Sequence, residues 1–242
     1  IIVCDCLTEV GTMDLNPVDE CSDGPVLVSY DNTNEFLDAD DVLLHVLHTG
    51  NLTLGNILQT NTIEPNFSFD ANTMDYGTTY YISTIIGNND GGGSVDVNDP
   101  CLAFAQGTPI TFFEVPTGQL IGQEAICDGE MTNITVNLTG DSPWSIIING
   151  QIIDGIVSSP YQHTVNPNTT TNYILEAVSD ENCTGTFDGS ADVTVNFAPS
   201  VSNVMVECNP TNTAYRVSFE IEGGDIDCYE ISGNPGVLNG NL

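Results

Sequence analysis

Cysteine is the residue type with the clearest chemistry in this sequence. The chain has 8 cysteines against 3 histidines and a single basic residue, Arg216. Cysteines in such excess over histidine favour disulfide bonds over zinc sites, and disulfides persist in oxidising compartments. The composition therefore predicts a disulfide-stabilised protein in an oxidising, extracytoplasmic setting.

Acidic loops are the second candidate for chemistry. Ca²⁺ takes six to eight oxygen ligands at flexible turns, so two Asp-containing loops, one of them rich in glycine, are candidate calcium sites. Their carboxylates are those of Asp38, Asp40, Asp41, Asp90, Asp96 and Asp99. The spacing differs from that of an EF-hand loop, and among 34 acidic residues clusters also arise by chance. A solvated loop therefore stays the alternative, and calcium is the one cofactor considered.

The histidines offer no comparable arrangement. His45 and His48 are three residues apart in a segment predicted as a strand, where they fall on opposite faces, and His163 is isolated. No nucleophile-elbow motif or His-containing cluster organises a serine or a cysteine for catalysis. We therefore predict no catalytic residue and no enzyme activity.

The charge of the chain excludes two kinds of partner. The formal net charge is −33. Nucleic acids and anionic membranes are bound through Lys and Arg, which are almost absent here. No apolar run approaches the roughly 20 residues of a membrane-spanning helix. The sequence therefore predicts no nucleic-acid binding and no membrane insertion.

Short strands separated by turn residues predict an all-β fold. Segments of apolar or alternating residues are bounded by Gly, Pro, Asn and Asp, which is typical of antiparallel β-sandwiches. The predicted strands are 26–30, 42–48, 56–59, 67–69, 78–86, 110–115, 121–126, 132–138, 144–148, 151–156, 161–165, 172–178, 192–197, 204–207 and 215–221.

Recurring marks divide these strands into modules. Cys-Asp-Gly or Cys-Ser-Asp-Gly, then Thr-Thr-Tyr or Thr-Asn-Tyr, then an acidic turn with a second cysteine occur twice in the same order. We predict a final strand of a preceding module at 1–10, complete modules at 11–115 and 116–198, and the start of an incomplete module at 199–242. Residues 116–118 and 198–200 are the expected linkers.

These marks also resemble a known family. Cys127-Asp128-Gly129, Ser159-Pro160-Tyr161 and the Thr169–Tyr173 segment resemble the Ig-like repeats of very large secreted adhesins and gliding-type surface proteins of Bacteroidota. The Phe36–Leu43 and Tyr80–Ser83 segments look like another such repeat. The resemblance implies tandem Ig-like or fibronectin-III-like sandwiches, secretion by the type IX route, and a role in adhesion, surface motility or an extracellular fibre. It carries over no ligand and no active site.

The cysteine pairs predicted from the module order are Cys21 with Cys101 and Cys127 with Cys183, each within one module. The remaining cysteines, Cys4, Cys6, Cys208 and Cys228, are left unassigned. Together with Ile1, Ile2 and Val3 they form a predicted junction with a neighbouring copy or module. In that junction the N-terminal strand adds to an open sheet edge.

The functional expectation is structural and adhesive: a segment of an extracellular filament or surface protein made of tandem modules. The alternative is a carbohydrate- or protein-binding module with calcium-stabilised loops, whose partner is a surface glycan or a protein. Trp144 and the tyrosines are predicted to pack in the core or on a sheet face, with a carbohydrate platform as the alternative. Glycan attachment is considered at the Asn-X-Ser/Thr sites, which are Asn51, Asn66, Asn133, Asn137, Asn168 and Asn182.

Overall fold

The protein is built of β-strands, and the predicted all-β fold is confirmed in a computed structural model that describes residues 7–211 and 213–228. The first ten strands are β1 Thr12–Met13, β2 Val18–Glu20, β3 Val26–Leu27, β4 Tyr30–Asp31, β5 Asp41–His48, β6 Ile57–Asn61, β7 Asn66–Phe67, β8 Thr79–Asn88, β9 Ala103–Phe104 and β10 Thr108–Phe112. The next seven are β11 Thr117–Cys127, β12 Thr132–Thr139, β13 Trp144–Ile148, β14 Gln151–Ile156, β15 Tyr161–Val165, β16 Thr171–Ser179 and β17 Thr186–Asn196. The last described elements are β18 Ser200–Cys208, β19 Tyr215–Glu222 and the 3₁₀ turn Ile226–Cys228.

The chain separates into two compact units. Of the described residues, the first unit comprises 7–115 together with 182–184, and the second comprises 116–181, 185–211 and 213–228. The described chain contains no helix with the length and apolar character that a membrane crossing requires.

The second unit is a sandwich made from one folded-over sheet. Its strand order is β14-β13-β16-β17-β11-β12-β15. The first half of β16 pairs with β17 and its second half with β13, so this strand takes part in both layers. The parallel pair in this sheet joins the first strand, β11, to the last, β17, over eleven residues. The result is an open sheet folded over a covered interior, with β14 and β15 as its two edge strands.

Alternation along the strands explains the core of this sandwich. In β12 and β13 every second side chain is buried, among them Ile134, Val136 and Ile146. Leu120 and Val193, which are inaccessible to solvent, belong to the same apolar cluster. Residues with a period of two line one face of a strand, so the apolar set meets in a single core.

Trp144 lies at the edge of this core. Its ring is 8% exposed, and its indole N–H donates to the carbonyl oxygen of Thr139 at 2.9 Å. A buried indole needs such an acceptor. The predicted role of Trp144 as a packing residue is confirmed.

The first unit is organised around a sheet with two covered faces. The strand order is β2-β10-β8-β5-β6, with β9 added to β8, and the pairs β1-β4 and β3-β7 lie outside it. β2 and β10 pair in parallel, as the first and last strands do in the second unit. Leu47 and Ile82 belong to one apolar cluster, and Val46 and Ile85 belong to another. β5 and β8 therefore read as continuous apolar runs, since both faces of each strand are buried.

β18 and β19 form a two-stranded ribbon with sides of opposite character. Val206 pairs with Val217 and Cys208 with Tyr215, so these residues share a face. The ribbon's apolar face consists of Val201, Val206, Cys208, Tyr215, Val217, Phe219 and Ile221. Its other face contains Ser202, Met205, Glu207, Arg216, Ser218 and Glu220 and is therefore mainly polar.

The predicted linkers are partly wrong. Thr117 and Gly118 belong to β11, because they pair with both β12 and β17. Ser200 opens β18 opposite Glu222. Both linker predictions relied on Pro and Gly as breaks, but the backbone groups of these residues are used by neighbouring strands that the local sequence does not reveal.

The sandwich core provides a stability test. Replacing the fully buried Ile146 by Ala should destabilise the second unit by roughly 2–5 kcal/mol, through lost burial and a residual cavity. The matched control is Ile152→Ala, since Ile152 is 63% exposed and its loss should cost less than about 0.5 kcal/mol. Urea unfolding followed by the fluorescence of the chain's single tryptophan measures both. Equal effects would contradict the assignment of the core.

Candidate functional site

The disulfides differ from the predicted pairs. Cys21 is bonded to Cys183, and Cys127 is bonded to Cys228. The predicted pairs Cys21–Cys101 and Cys127–Cys183 are wrong, although each of these four cysteines is disulfide-bonded, Cys101 included.

Chain geometry explains both pairings. Cys183 lies in the loop between β16 and β17, and that loop belongs to the first unit, as Cys21 does. Cys127 ends β11 opposite Asn196, the last residue of β17. After the ribbon the chain returns to this place, because the Asp225 amide donates to the Phe197 carbonyl at 3.1 Å. Cys228 therefore lies beside Cys127, although 101 residues separate them.

The predicted junction residues divide into three groups. Cys228 is held in the disulfide to Cys127, whereas Cys208 carries a free thiol that is exposed. The others lie outside the described residues; they are Ile1, Ile2, Val3, Cys4 and Cys6.

In the glycine-rich loop that follows β8, the side chain of Asp90 caps the turn. One carboxylate oxygen of Asp90 accepts the amides of Gly92 at 2.7 Å and Ser94 at 3.1 Å. These amides stabilise the ionised form and lower the pKa of Asp90. Asn89 accepts the amides of Gly91 and Gly93 in the same way. The loop therefore binds its own backbone.

The other carboxylates proposed for calcium are also engaged locally. Asp99 is buried and accepts the amides of Asn88 and Cys101 at 2.7 and 2.9 Å. Asp96 accepts the amide of Asn98. Asp41 accepts the Thr8 hydroxyl at 2.8 Å and the Asp38 amide at 2.9 Å.

Asp38 and Asp40 complete the predicted set, and the hydrogen bond between their side chains raises the pKa of Asp38. Nowhere in residues 7–211 and 213–228 do three or more His, Cys, Asp or Glu side chains converge as a metal site would require. The structure therefore does not bring the predicted calcium ligands together.

The two histidines of β5 are buried on opposite faces of the sheet. His45 Nδ1 and the Thr84 hydroxyl hydrogen-bond at 2.8 Å, and His48 Nε2 and the Ser83 hydroxyl do so at the same distance. The Gly50 amide donates to His48 Nδ1 at 3.3 Å, so Nε2 carries the proton and donates to Ser83. Burial lowers the pKa of both imidazoles. They are neutral core residues.

The ribbon's apolar face is exposed in the described chain, and the sequence does not by itself explain this exposure. Tyr215 is 74% exposed, Val206 63% and Phe219 36%. In the described part of the chain, β18 pairs with β19 and the ribbon stays a two-stranded sheet of its own. A ribbon of this kind is marginally stable in water unless another layer covers it. Period-two alternation in 215–221 is the signal by which the sequence indicates this face.

Comparisons with known proteins add little detail. No protein-family model and no curated protein matches the chain. The I-band fragment I67-I69 from titin matches at 10% identity over 77% of this chain and 64% of its own length, with a TM-score of 0.42. This chain thus spans less than two thirds of that fragment. The extracellular domains 3-5 of Drosophila OTK match at 8% identity over 85% of this chain and 72% of theirs, with a TM-score of 0.30.

Likenesses at TM-scores this low identify no relative. The class of the protein follows from its own strands: each of the two units has an apolar core between β-layers and a parallel strand pair, β2 with β10 in the first unit and β11 with β17 in the second. The chain is therefore a protein of tandem Ig-like, fibronectin-III-like β-sandwich modules.

Disulfide mapping tests the covalent structure. After digestion at acidic residues, mass spectrometry should recover a peptide with Cys21 linked to Cys183 and another with Cys127 linked to Cys228. Linked peptides with Cys21–Cys101 or Cys127–Cys183 would contradict the structure. Replacing Cys127 and Cys228 together by Ser should cost about 4–5 kcal/mol, the chain-entropy value for a loop of this length.

The buried histidines of β5 predict a pH effect on the stability of the first unit. Because burial lowers the pKa of His48 below 6.5, the neutral ring favours folding. This contribution is complete above pH 6.5 and is lost as the pH falls through the lowered value. Urea titrations followed by the NMR amide signals of β5 should therefore show the wild type losing stability on acidification relative to His48→Gln. Parallel pH profiles for the two proteins would refute the effect.

Proposed function

We propose that this chain is a structural and adhesive segment of an extracellular bacterial surface protein or filament built of tandem Ig-like modules. The observation that carries the proposal is the ribbon's apolar face. Its alternation is that of one sandwich layer, and its side chains are exposed in the described chain. A layer of this kind is completed by another β-layer, which a neighbouring module or copy supplies.

Charge and redox chemistry support the extracellular location. Two long-range disulfides stabilise the chain, and such bonds persist outside the cytoplasm. With a net charge of −33 the modules repel one another except where an uncharged surface brings them together. The ribbon's apolar face contains no charged side chain, so electrostatic repulsion opposes association least at this face.

The junction has a defined partner in this proposal. The edges of β18 and β19 that face away from each other offer backbone groups for an added strand. Ile1, Ile2 and Val3 of a neighbouring copy supply such a strand, and a neighbouring module supplies it in a covalent array.

The finer assignment rests on the resemblance of the Cys-Asp-Gly and Thr-Thr-Tyr marks to repeats of Bacteroidota adhesins and gliding-type proteins. In this proposal the protein is a type IX secretion substrate that holds a binding tip away from the cell. The partner at that tip is a surface glycan or a protein.

Electron microscopy of the native material tests the architecture. Beaded strings with a repeat of one module are expected. Compact isolated particles would contradict the stalk or filament.

Cys208 reports whether the ribbon is covered. The thiol is exposed in the described chain, so the isolated 242-residue protein should react quickly with a maleimide at Cys208. In the native surface material the same peptide should be protected at least about tenfold, because the facing layer excludes the reagent. Labelling after denaturation serves as the control for total thiol. Equal reactivity in the two native samples would refute the covered ribbon.

A further inference from the structure

A small cleft opens in the second unit where the sandwich parts between its two edge strands. β14 and β15 are the ends of the hydrogen-bonded strand order, so no strand pairing joins them. The cleft has a volume of about 220 Å³. Clefts for drug-sized ligands measure roughly 300–1,000 Å³, so this one has room for a single small ring.

The wall formed by the β13–β14 turn is rigid. Asn149 and Gly150 both have positive φ, 46° and 74°, as a two-residue type I′ hairpin requires. The side-chain oxygen of Asn149 accepts the amide of Ile174 at 2.8 Å, and its amide donates to the carbonyl of Asn172 at 3.1 Å. The turn is therefore held in place from both sides.

The opposite wall leaves polar atoms available. Asn166 donates to the carbonyls of Gly129 and Glu130 at 3.2 and 3.0 Å, which leaves its side-chain oxygen as a free acceptor. His163 and Tyr173 also line the cleft. His163 lies against the ring of Tyr161 and Tyr173 against the apolar core, and within the described residues neither side chain makes a hydrogen bond.

Burial is the cause of the pKa shifts of both groups. It lowers the pKa of His163 and raises that of Tyr173, so both are uncharged at neutral pH. The neutral imidazole offers one donor and one acceptor, and the phenol offers a hydroxyl that can do both. Two half-buried side chains, His163 and Tyr173, and the side-chain oxygen of the exposed Asn166 thus face one space without a hydrogen-bond partner in the described chain.

The lining of the cleft is uncharged in a very acidic chain. Its side chains are aliphatic, amide, hydroxyl, imidazole and phenol groups. Glu176, the acid bonded to the turn, has its carboxylate on the Gly150 amide at 2.7 Å. The negative field of a protein with net charge −33 disfavours anions in this cleft, and the lining has no carboxylate to neutralise a cation. What it suits is a neutral ligand with several hydroxyls and an apolar face.

We propose that this cleft binds one neutral sugar ring, with the rings of His163 and Tyr173 against its C–H face and the free polar atoms on its hydroxyls. The terminal sugar of a surface glycan has this chemistry. The inference stands on the cleft alone and is independent of whether the ribbon is covered by a neighbouring module.

An NMR titration of the whole chain tests the cleft. The probes are the methyl glycosides of mannose, glucose and galactose and free N-acetylglucosamine, with glucuronate as the anionic arm and glycerol as a polyol without a ring. At least one neutral sugar should shift the amides of residues 149–151, 163–166 and 173 in a saturable way. Glucuronate and glycerol should not.

Variants separate the site from non-specific effects. Tyr173→Phe retains the packed ring and removes the hydroxyl, and it should weaken binding about tenfold, as should His163→Ala. Tyr215→Phe, an exposed tyrosine on the ribbon, is the matched control and should bind as the wild type does. Unchanged fluorescence of Trp144 verifies that each variant is folded.

The proposal is overturned if no sugar shifts the cleft residues, if glycerol shifts them equally, or if Tyr173→Phe and His163→Ala bind as Tyr215→Phe does.

Discussion

An apolar sheet face has to be covered by a second layer, and the rest of the structure depends on this requirement. Exposed apolar area costs free energy in proportion to its size, and a twisted sheet can bury one face only against another element. In the second unit β16 pairs with both layers, so one continuous sheet covers itself. In the first unit β5 and β8 have apolar clusters on both sides. The β18–β19 ribbon is where the same requirement is not met within the described chain.

The acidic composition is compatible with these folded units because the carboxylates stay out of the apolar clusters and several of them cap turns. Asp90 and Asp99 accept backbone amides that would otherwise be unpaired, so their charge helps to order loops. The apolar clusters contain no ionised side chain. Repulsion between units remains, and it favours association through uncharged surfaces over association through acidic ones.

Two such surfaces are prominent: the ribbon's apolar face and the cleft of the second unit. The first is apolar and extended, which suits a β-layer. The second is small and polar without charge, which suits a neutral hydroxylated ring. A structural module and a recognition module are therefore compatible in one chain, since the two surfaces use different strands and different chemistry.

The sequence by itself determined the strands, their alternation and the oxidising setting, because period-two patterns and cysteine content are local or compositional. Trp144 and the neutral histidines of β5 could also be placed in this way. The tertiary structure alone decided which cysteines pair, because partners 162 and 101 residues apart meet only when loops and strand ends are brought together. Within the described residues, the tertiary structure also decided that the carboxylates predicted for calcium do not converge, because loop carboxylates such as those of Asp90 and Asp99 accept the nearest backbone amides. It placed His163 and Tyr173 at one cleft, because the edge strands β14 and β15 do not pair there.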